Sequence, residues 1–164
     1  VPSRELTDLH PDIQPWARAF LAAATQAGIH PLIVCTYRSD LEQDQTYAYG
    51  RTTRSPVGPW SEKQPLGAIL TKARAGQSAH NWEVDGKPAA LALDVYPTIG
   101  GKLVTVAGSP LWQQLGRLGM LAGFEWYGLP GAPFREMPHF QHPKFHEWME
   151  ARTSEAAALV RVQA

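Results

Sequence analysis

The sequence has one cysteine, Cys35, among 164 residues, so no disulfide can form within the chain and the redox compartment stays open. Following Leu32-Ile33-Val34, Cys35 reads as a small core hydrophobe. Net charge is lacking too. Lys plus Arg number 15 and Asp plus Glu number 15, a balance that argues against a nucleic-acid partner or charge-driven membrane binding. No apolar run reaches the roughly 18 residues a spanning helix needs, so membrane insertion is not expected. The opening residues lack the charged-then-apolar order of a secretory signal. Internal repeats and low-complexity tracts are missing as well. The chain starts at Val1 rather than methionine, which leaves room for a preceding segment or a cleaved signal.

What is present suits one ordinary domain, 1–164, able to bury roughly 70% of its unfolded surface. Pro11 to Ala27 carries apolar residues at helical spacing, with Gly28 where the helix should stop. Pro31 to Tyr37 reads as a buried strand. Ser39 with Glu42 forms a capping-box pattern, which predicts a second helix to about Tyr49 before Gly50. From Arg51 to Gln77 no period is sustained, and loops this long are uncommon unless functional. Asp85-Gly86 signals a hairpin turn between Asn81 to Val84 and a strand Ala89 to Tyr96. Alternation in that strand puts Leu91, Leu93 and Val95 on one face and Ala90, Ala92 and Asp94 on the other. A turn at Gly100-Gly101 leads into Lys102 to Val106, and Ser109-Pro110 opens a third helix to about Ala122. Phe124 to Tyr127 reads as a strand, joined by a Gly/Pro-rich link to Glu136 to Gln141. A final helix runs from Pro143 to about Val160. The sum is an α+β domain, a small and mostly antiparallel sheet flanked by helices.

Catalytic zinc sites draw three ligands from His, Asp or Glu and leave one position for water. His10 and His30 stand beside prolines without other metal-type residues nearby and read as structural. His80, Asp94 and His139 are candidate ligands, with Glu136 as candidate base. Three residues apart on a strand, His142 turns away from anything His139 holds, and His146 is a weaker candidate still. The same spacing sets Glu136 awkwardly, and a kink at Met137-Pro138 is required to bring its carboxylate round. Spacing alone does not separate this reading from a strand-end Asp94 and a solvated Glu136. Trp16, Trp112, Trp126 and Trp148 read as core, whereas Trp60 and Trp82 are candidates for lining a cleft.

Four ordered blocks add specificity. They are Thr36-Tyr37-Arg38-Ser39 with Gln43, Tyr47 and Gly50-Arg51-Thr52; Thr71 to Asn81, ending Gly76-Gln77-Ser78-Ala79-His80-Asn81; Leu91-Ala92-Leu93-Asp94-Val95; and Glu136-Met137-Pro138-His139-Phe140-Gln141. Together they resemble the zinc D-Ala-D-Ala carboxypeptidase and L-alanyl-D-glutamate endopeptidase family, especially single-domain phage endolysins. The resemblance implies a hedgehog/D,D-peptidase-like fold, zinc held by His80, Asp94 and His139, and Glu136 as base. Substrate contacts are then expected from Arg38, Ser78 and Gln77, with Arg74 a weaker anion-binding candidate. One departure is the stretch Trp82 to Ala89, which reads as an inserted hairpin; the family commonly reaches its aspartate seven residues after the histidine, where this chain has Lys87, a cation that cannot ligate zinc.

The implied function is hydrolysis of the L-Ala-D-Glu bond of peptidoglycan stem peptides in cell lysis. Alternatives are a D-Ala-D-Ala carboxypeptidase and a non-catalytic hedgehog-like zinc module. A monomer without a separate wall-binding domain is expected, made in a bacterial host cytoplasm and acting on periplasmic peptidoglycan.

Overall fold

The computed structural model describes residues 1–132 and 135–163. In chain order its principal elements are α1 (Gln14–Gln26), β1 (His30–Cys35), α2 (Asp40–Ala48), β2 (Glu83–Val84), β3 (Lys87–Pro88), β4 (Ala92–Ile99), β5 (Lys102–Leu103), α3 (Pro110–Ala122), β6 (Glu125–Trp126), β7 (His139–Gln141) and α4 (Phe145–Gln163). Five strands form one antiparallel sheet in the order β1-β4-β7-β6, with β5 also on β4, while β2 and β3 make a separate two-stranded hairpin. This is the α+β architecture expected from the sequence.

Local chemistry explains the helix ends. The Ser39 side chain accepts from Glu42 N while Glu42 reaches back to Ser39 N at 3.0 Å, a complete capping box. Ser39 therefore starts α2 two residues after Tyr37 and fixes the direction in which Arg38 leaves the sheet. Ser109 caps α3 with its side chain alone, accepting from Leu111 N, and Gly123, at φ 117°, takes the left-handed turn that ends it. In α1, Ala17, Phe20 and Ala24 make the buried stripe. It starts later than Pro11, because residues 11–13 turn before Ile13 caps the helix.

The main core joins Phe20 and Ile13 to Leu93 and Val95 of β4, Phe140 of β7, Trp112 and Leu115 of α3, and Trp126. Each such side chain, fully buried, contributes roughly 1.5–3 kcal/mol. A smaller cluster gathers Ala79, Trp82, Leu91 and Phe145, with Trp148 packed against it. Since Leu93, Val95 and Phe140 point into the main core, alternation turns Asp94, His139 and Gln141 to the opposite face.

Several boundaries differ from expectation. The central strand begins at Ala92 rather than Ala89, because the preceding backbone is pinned elsewhere: Ala90 N donates to Asp8 O, His10 N to Ala90 O, and Leu91 N to Ala79 O. The expected hairpin therefore shrinks to β2 and β3, with Asp85 at φ 52° and Gly86 in its turn. β1 stops at Cys35, and the strand foreseen over Lys102 to Val106 shortens to Lys102–Leu103, with one further bond from Val104 N to Pro97 O. Glu136 lies in a turn before β7 rather than in a strand. The link expected ahead of it includes Pro133 and Phe134, which lie outside the described residues. α4 extends to Gln163, and from Glu150 to Val162 its side chains are exposed. Among the described residues no helix is long and apolar enough to cross a membrane.

Candidate active site

Sheet register builds the site. β1 slips between Ile33 and Cys35, bringing Cys35 opposite Asp94, and β7 sets His139 opposite Asp94 on the other side. Directly opposed residues have Cβ atoms about 4.5–5.5 Å apart, so Cys35, Asp94 and His139 form a row across three strands. His80 comes over this row from a single helical turn, Ala79–Asn81, capped by Ser78. Three bonds hold that turn: Leu91 N to Ala79 O at 2.8 Å, Arg38 N to His80 O at 3.0 Å, and Asn81 Nδ2 to Arg38 O at 2.5 Å.

The imidazole tautomers follow from their partners. His80 Nδ1 lies 2.7 Å from Thr36 O, which only accepts, so Nδ1 carries the proton and Nε2 keeps its lone pair. His139 Nε2 lies 3.0 Å from Gln141 Oε1, and the Gln141 amide is turned this way because its NH2 end faces the Glu125 carboxylate and Tyr127 hydroxyl. His139 Nδ1 is then the free nitrogen. His80 Nε2, His139 Nδ1 and Asp94 Oδ1 form a near-equilateral triangle, with sides of 3.3, 3.1 and 3.4 Å. Donor atoms about 2.0–2.1 Å from a tetrahedral zinc would stand about 3.3 Å apart. The donor set, two neutral imidazoles and one carboxylate, fits a divalent metal in both chemistry and spacing. Before any metal binds, these groups act on one another as charges: against burial, Cys35 and Asp94 push the His80 imidazole well above its usual value, and His80 and His139 hold the Asp94 carboxyl well below its own, so a metal taking up the neutral imidazoles would displace those protons.

Cys35 was read from sequence as plain core, and it is buried, but its Sγ lies 3.5 Å from His80 Nδ1. Cys35, His80 and Asp94 each offer a ligand atom within 4.8 Å of the others. The thiol meets the protonated side of His80, however, where Thr36 O already holds the ring. The His80, Asp94 and His139 set is therefore the better formed of the two.

Glu136 reaches the triangle without a strand. His139 N donates to Glu136 O at 3.2 Å, closing a turn through Met137-Pro138, and Glu136 Oε2 stands 3.9 Å from His139 Nδ1. This is the bend that the sequence required at Met137-Pro138. Burial pushes the Glu136 carboxyl upward, against the pull of His139. Arg38 closes the opposite side. Its Nη1 donates to Gln43 Oε1 at 2.8 Å, its Nη2 stands 3.9 Å from Asp94 Oδ2, and its buried Nε has no hydrogen-bond partner among the described residues. A cavity of about 70 Å³ between Arg38, Ser78, His80, Asp94, Glu136 and His139 adjoins a larger one of about 200 Å³, walled by Gln77, Tyr127, Gln141 and His146.

Of the residues singled out in the sequence, His80, Asp94, His139, Glu136, Arg38 and Ser78 all border one cavity, and Gln77 borders the next. Arg74 does not; its guanidinium lies over the Tyr47 ring. His142 faces away, stacked on Trp16. Trp82 is not a cleft residue: it is buried against Phe145 and Trp148 beneath Arg152. Trp60 folds back on its own loop, donating to Ser55 O. Sequence reasoning missed Cys35, Gln141 and Tyr127, although the two-residue step from His139 to Gln141 marks a shared strand face.

A small antiparallel sheet carrying two histidines and an aspartate at metal-ligand spacing, with a carboxylate alongside, defines a class: metallopeptidases with an α+β fold. More narrowly, residues 6–126 match the family described as VanY, D-alanyl-D-alanine carboxypeptidase, and the chain belongs to that family of peptidoglycan peptidases. The match ends before Glu136 and His139. A relative, the peptidoglycan L-alanyl-D-glutamate endopeptidase CwlK of Bacillus subtilis (strain 168), is 31% identical over 143 residues, covering 82% of this chain and 74% of that protein. Among known structures, the L-Ala D-Glu endopeptidase ChiX of Serratia marcescens shares the fold at a TM-score of 0.56 and 18% identity, over 90% of this chain and 92% of that one. The vancomycin resistance D,D-pentapeptidase VanY of the VanB-type cassette, solved in complex with Zn(II), does so at 0.52 and 20% identity, over 82% and 72%.

Proposed function

We propose that this chain is a zinc-dependent endopeptidase that cuts the L-Ala-D-Glu bond of peptidoglycan stem peptides, working as one domain over 1–164. The carrying observation is the donor triangle of His80 Nε2, Asp94 Oδ1 and His139 Nδ1 with the Glu136 carboxylate beside it. Zinc, the ion of the VanY neighbour, would supply Lewis acidity that polarises the scissile carbonyl and acidifies water. Glu136 takes the proton of the attacking water and later returns it to the leaving amine, a role suited to a carboxyl raised by burial. Arg38, anchored on Gln43 and with Nε unpaired among the described residues, offers a fixed cation to the oxyanion or to a substrate carboxylate. Ser78 and Gln77 on the cavity wall hold the peptide backbone.

The choice of bond is supported by the kinship with CwlK. The family description favours a second reading, a D-Ala-D-Ala carboxypeptidase using the same residues. A binding module of hedgehog type has no use for Glu136 at this position. By its motif resemblance we extend the first reading to a phage endolysin, a monomer that lyses cells from the periplasmic side. Digestion of defined muropeptides, with new termini identified by mass spectrometry, separates the readings: a new D-Glu amino terminus is expected, whereas release of free D-Ala assigns the chain to the carboxypeptidases.

A further inference from the structure

On the far side of His139 from the donor triangle a second set of polar groups is arranged. Gln141 follows two residues later on the same face of β7, buried at 3% exposure. Its Oε1 lies 3.0 Å from His139 Nε2, and its Nε2 donates to Tyr127 Oη at 2.8 Å and, more distantly, toward Glu125 Oε2 at 3.4 Å. Tyr127 Oη in turn lies 3.2 Å from His146 Nε2 on α4. Its ring meets the His139 ring edge-on, with centroids 5.0 Å apart. The backbone reinforces the pairing, since Tyr127 N donates to His139 O and Glu136 N to Tyr127 O.

We propose that Gln141, held by Tyr127, is the positioning residue that keeps the His139 proton on Nε2 and so presents Nδ1 to the metal. The inference rests on the reading of His139 as a zinc ligand. An amide can face His139 with either end, and only the oxygen end enforces this tautomer; the Glu125 carboxylate, which can only accept, selects the NH2 end for the outer side, and the Tyr127 hydroxyl, able to accept or donate, takes the acceptor role beside it. The Tyr127 hydroxyl accepts from Gln141 Nε2 and has His146 Nε2 as its other partner. His139 thereby acquires on its outer nitrogen what Thr36 O provides for His80 on Nδ1. The two ligands are oriented by different means: a backbone carbonyl for one, a side-chain pair for the other.

Outer partners of ligating histidines typically carry 10–100-fold in metal affinity. Zinc binding by the full chain, measured by competition with a chromogenic chelator, is therefore expected to weaken about 10–100-fold in Gln141→Leu. Tyr127→Phe, which leaves Gln141 in place but removes its hold, falls between this variant and wild type. Gln141→Glu, which keeps an acceptor against His139 Nε2, recovers affinity relative to Gln141→Leu. Nitrogen-15 NMR of the zinc-loaded wild type is expected to show the His139 proton on Nε2 and the metal on Nδ1, a readout that does not depend on any variant folding. A folded Gln141→Leu that binds zinc as tightly as wild type, or a His139 that binds through Nε2, overturns the proposal alone. A wild type that binds zinc without His139, or binds none, overturns the functional reading along with it.

Discussion

Glu136 carries the sharpest test at the residue scale because, among the described residues lining that cavity, it is the carboxylate that the triangle does not use. General base catalysis of this kind contributes about 10²–10⁴-fold, so Glu136→Gln should lower kcat on muropeptides by that factor while leaving bound zinc at the wild-type level. Activity unchanged in this variant would remove Glu136 from the mechanism. The residues of the site were largely legible in the sequence, since His80, Asp94, His139 and Arg38 occur in ordered blocks and all meet at one cavity. Cys35 was not, because its place opposite Asp94 depends on a register slip in β1 that no local pattern records. Trp82 misled for the opposite reason. Its position on a polar hairpin near His80 suggests exposure, but α4 folds over it and Arg152 covers its ring at 3.5 Å.

At the scale of elements, α3 and the β6-β7 pair control how accurately the Glu136 to His139 turn is held. Trp126 packs flat on Phe140, and its indole Nε1 donates to Met137 O at 2.8 Å, the carbonyl between Glu136 and His139. Gly116 of α3 makes room for that ring: a Cβ there would lie 2.2 Å from Trp126 Cε3. Replacing a helical glycine by alanine ordinarily gains up to about 1 kcal/mol. Here the buried, hydrogen-bonded indole has no free direction in which to move, and overpacking of about 1–3 kcal/mol outweighs that gain. Gly116→Ala should therefore lower the midpoint of urea unfolding; a midpoint equal to or above wild type would show that the indole yields readily. Helix ends were the most legible elements, because Ser39 and Ser109 cap with their side chains the backbone two or three residues on and Gly123 ends its helix by its own conformation. Strand ends were the least, since whether Ala90 extends β4 is decided by a distant partner, Asp8 O.

For the whole molecule, the sheet acts as a partition: one face meets α1 and α3 in the main core, and the other carries polar groups from segments far apart in sequence. Such a site adds little to folding by itself and gains stability from an ion that binds only the folded chain. At zinc 100 times the dissociation constant that gain is about 2.7 kcal/mol, so chelation should lower the thermal midpoint and zinc should restore it. A midpoint indifferent to both would mean that the triangle holds no ion. The central claim is that this triangle holds the metal with which Glu136 hydrolyses peptidoglycan peptides. Its most direct test is zinc content and muropeptide hydrolysis measured on the same sample, before chelation, after it, and after zinc is returned. One zinc per chain is predicted, with hydrolysis that disappears and returns with the metal; hydrolysis that survives complete removal of the metal, or a fully zinc-loaded protein that cuts nothing, would contradict it.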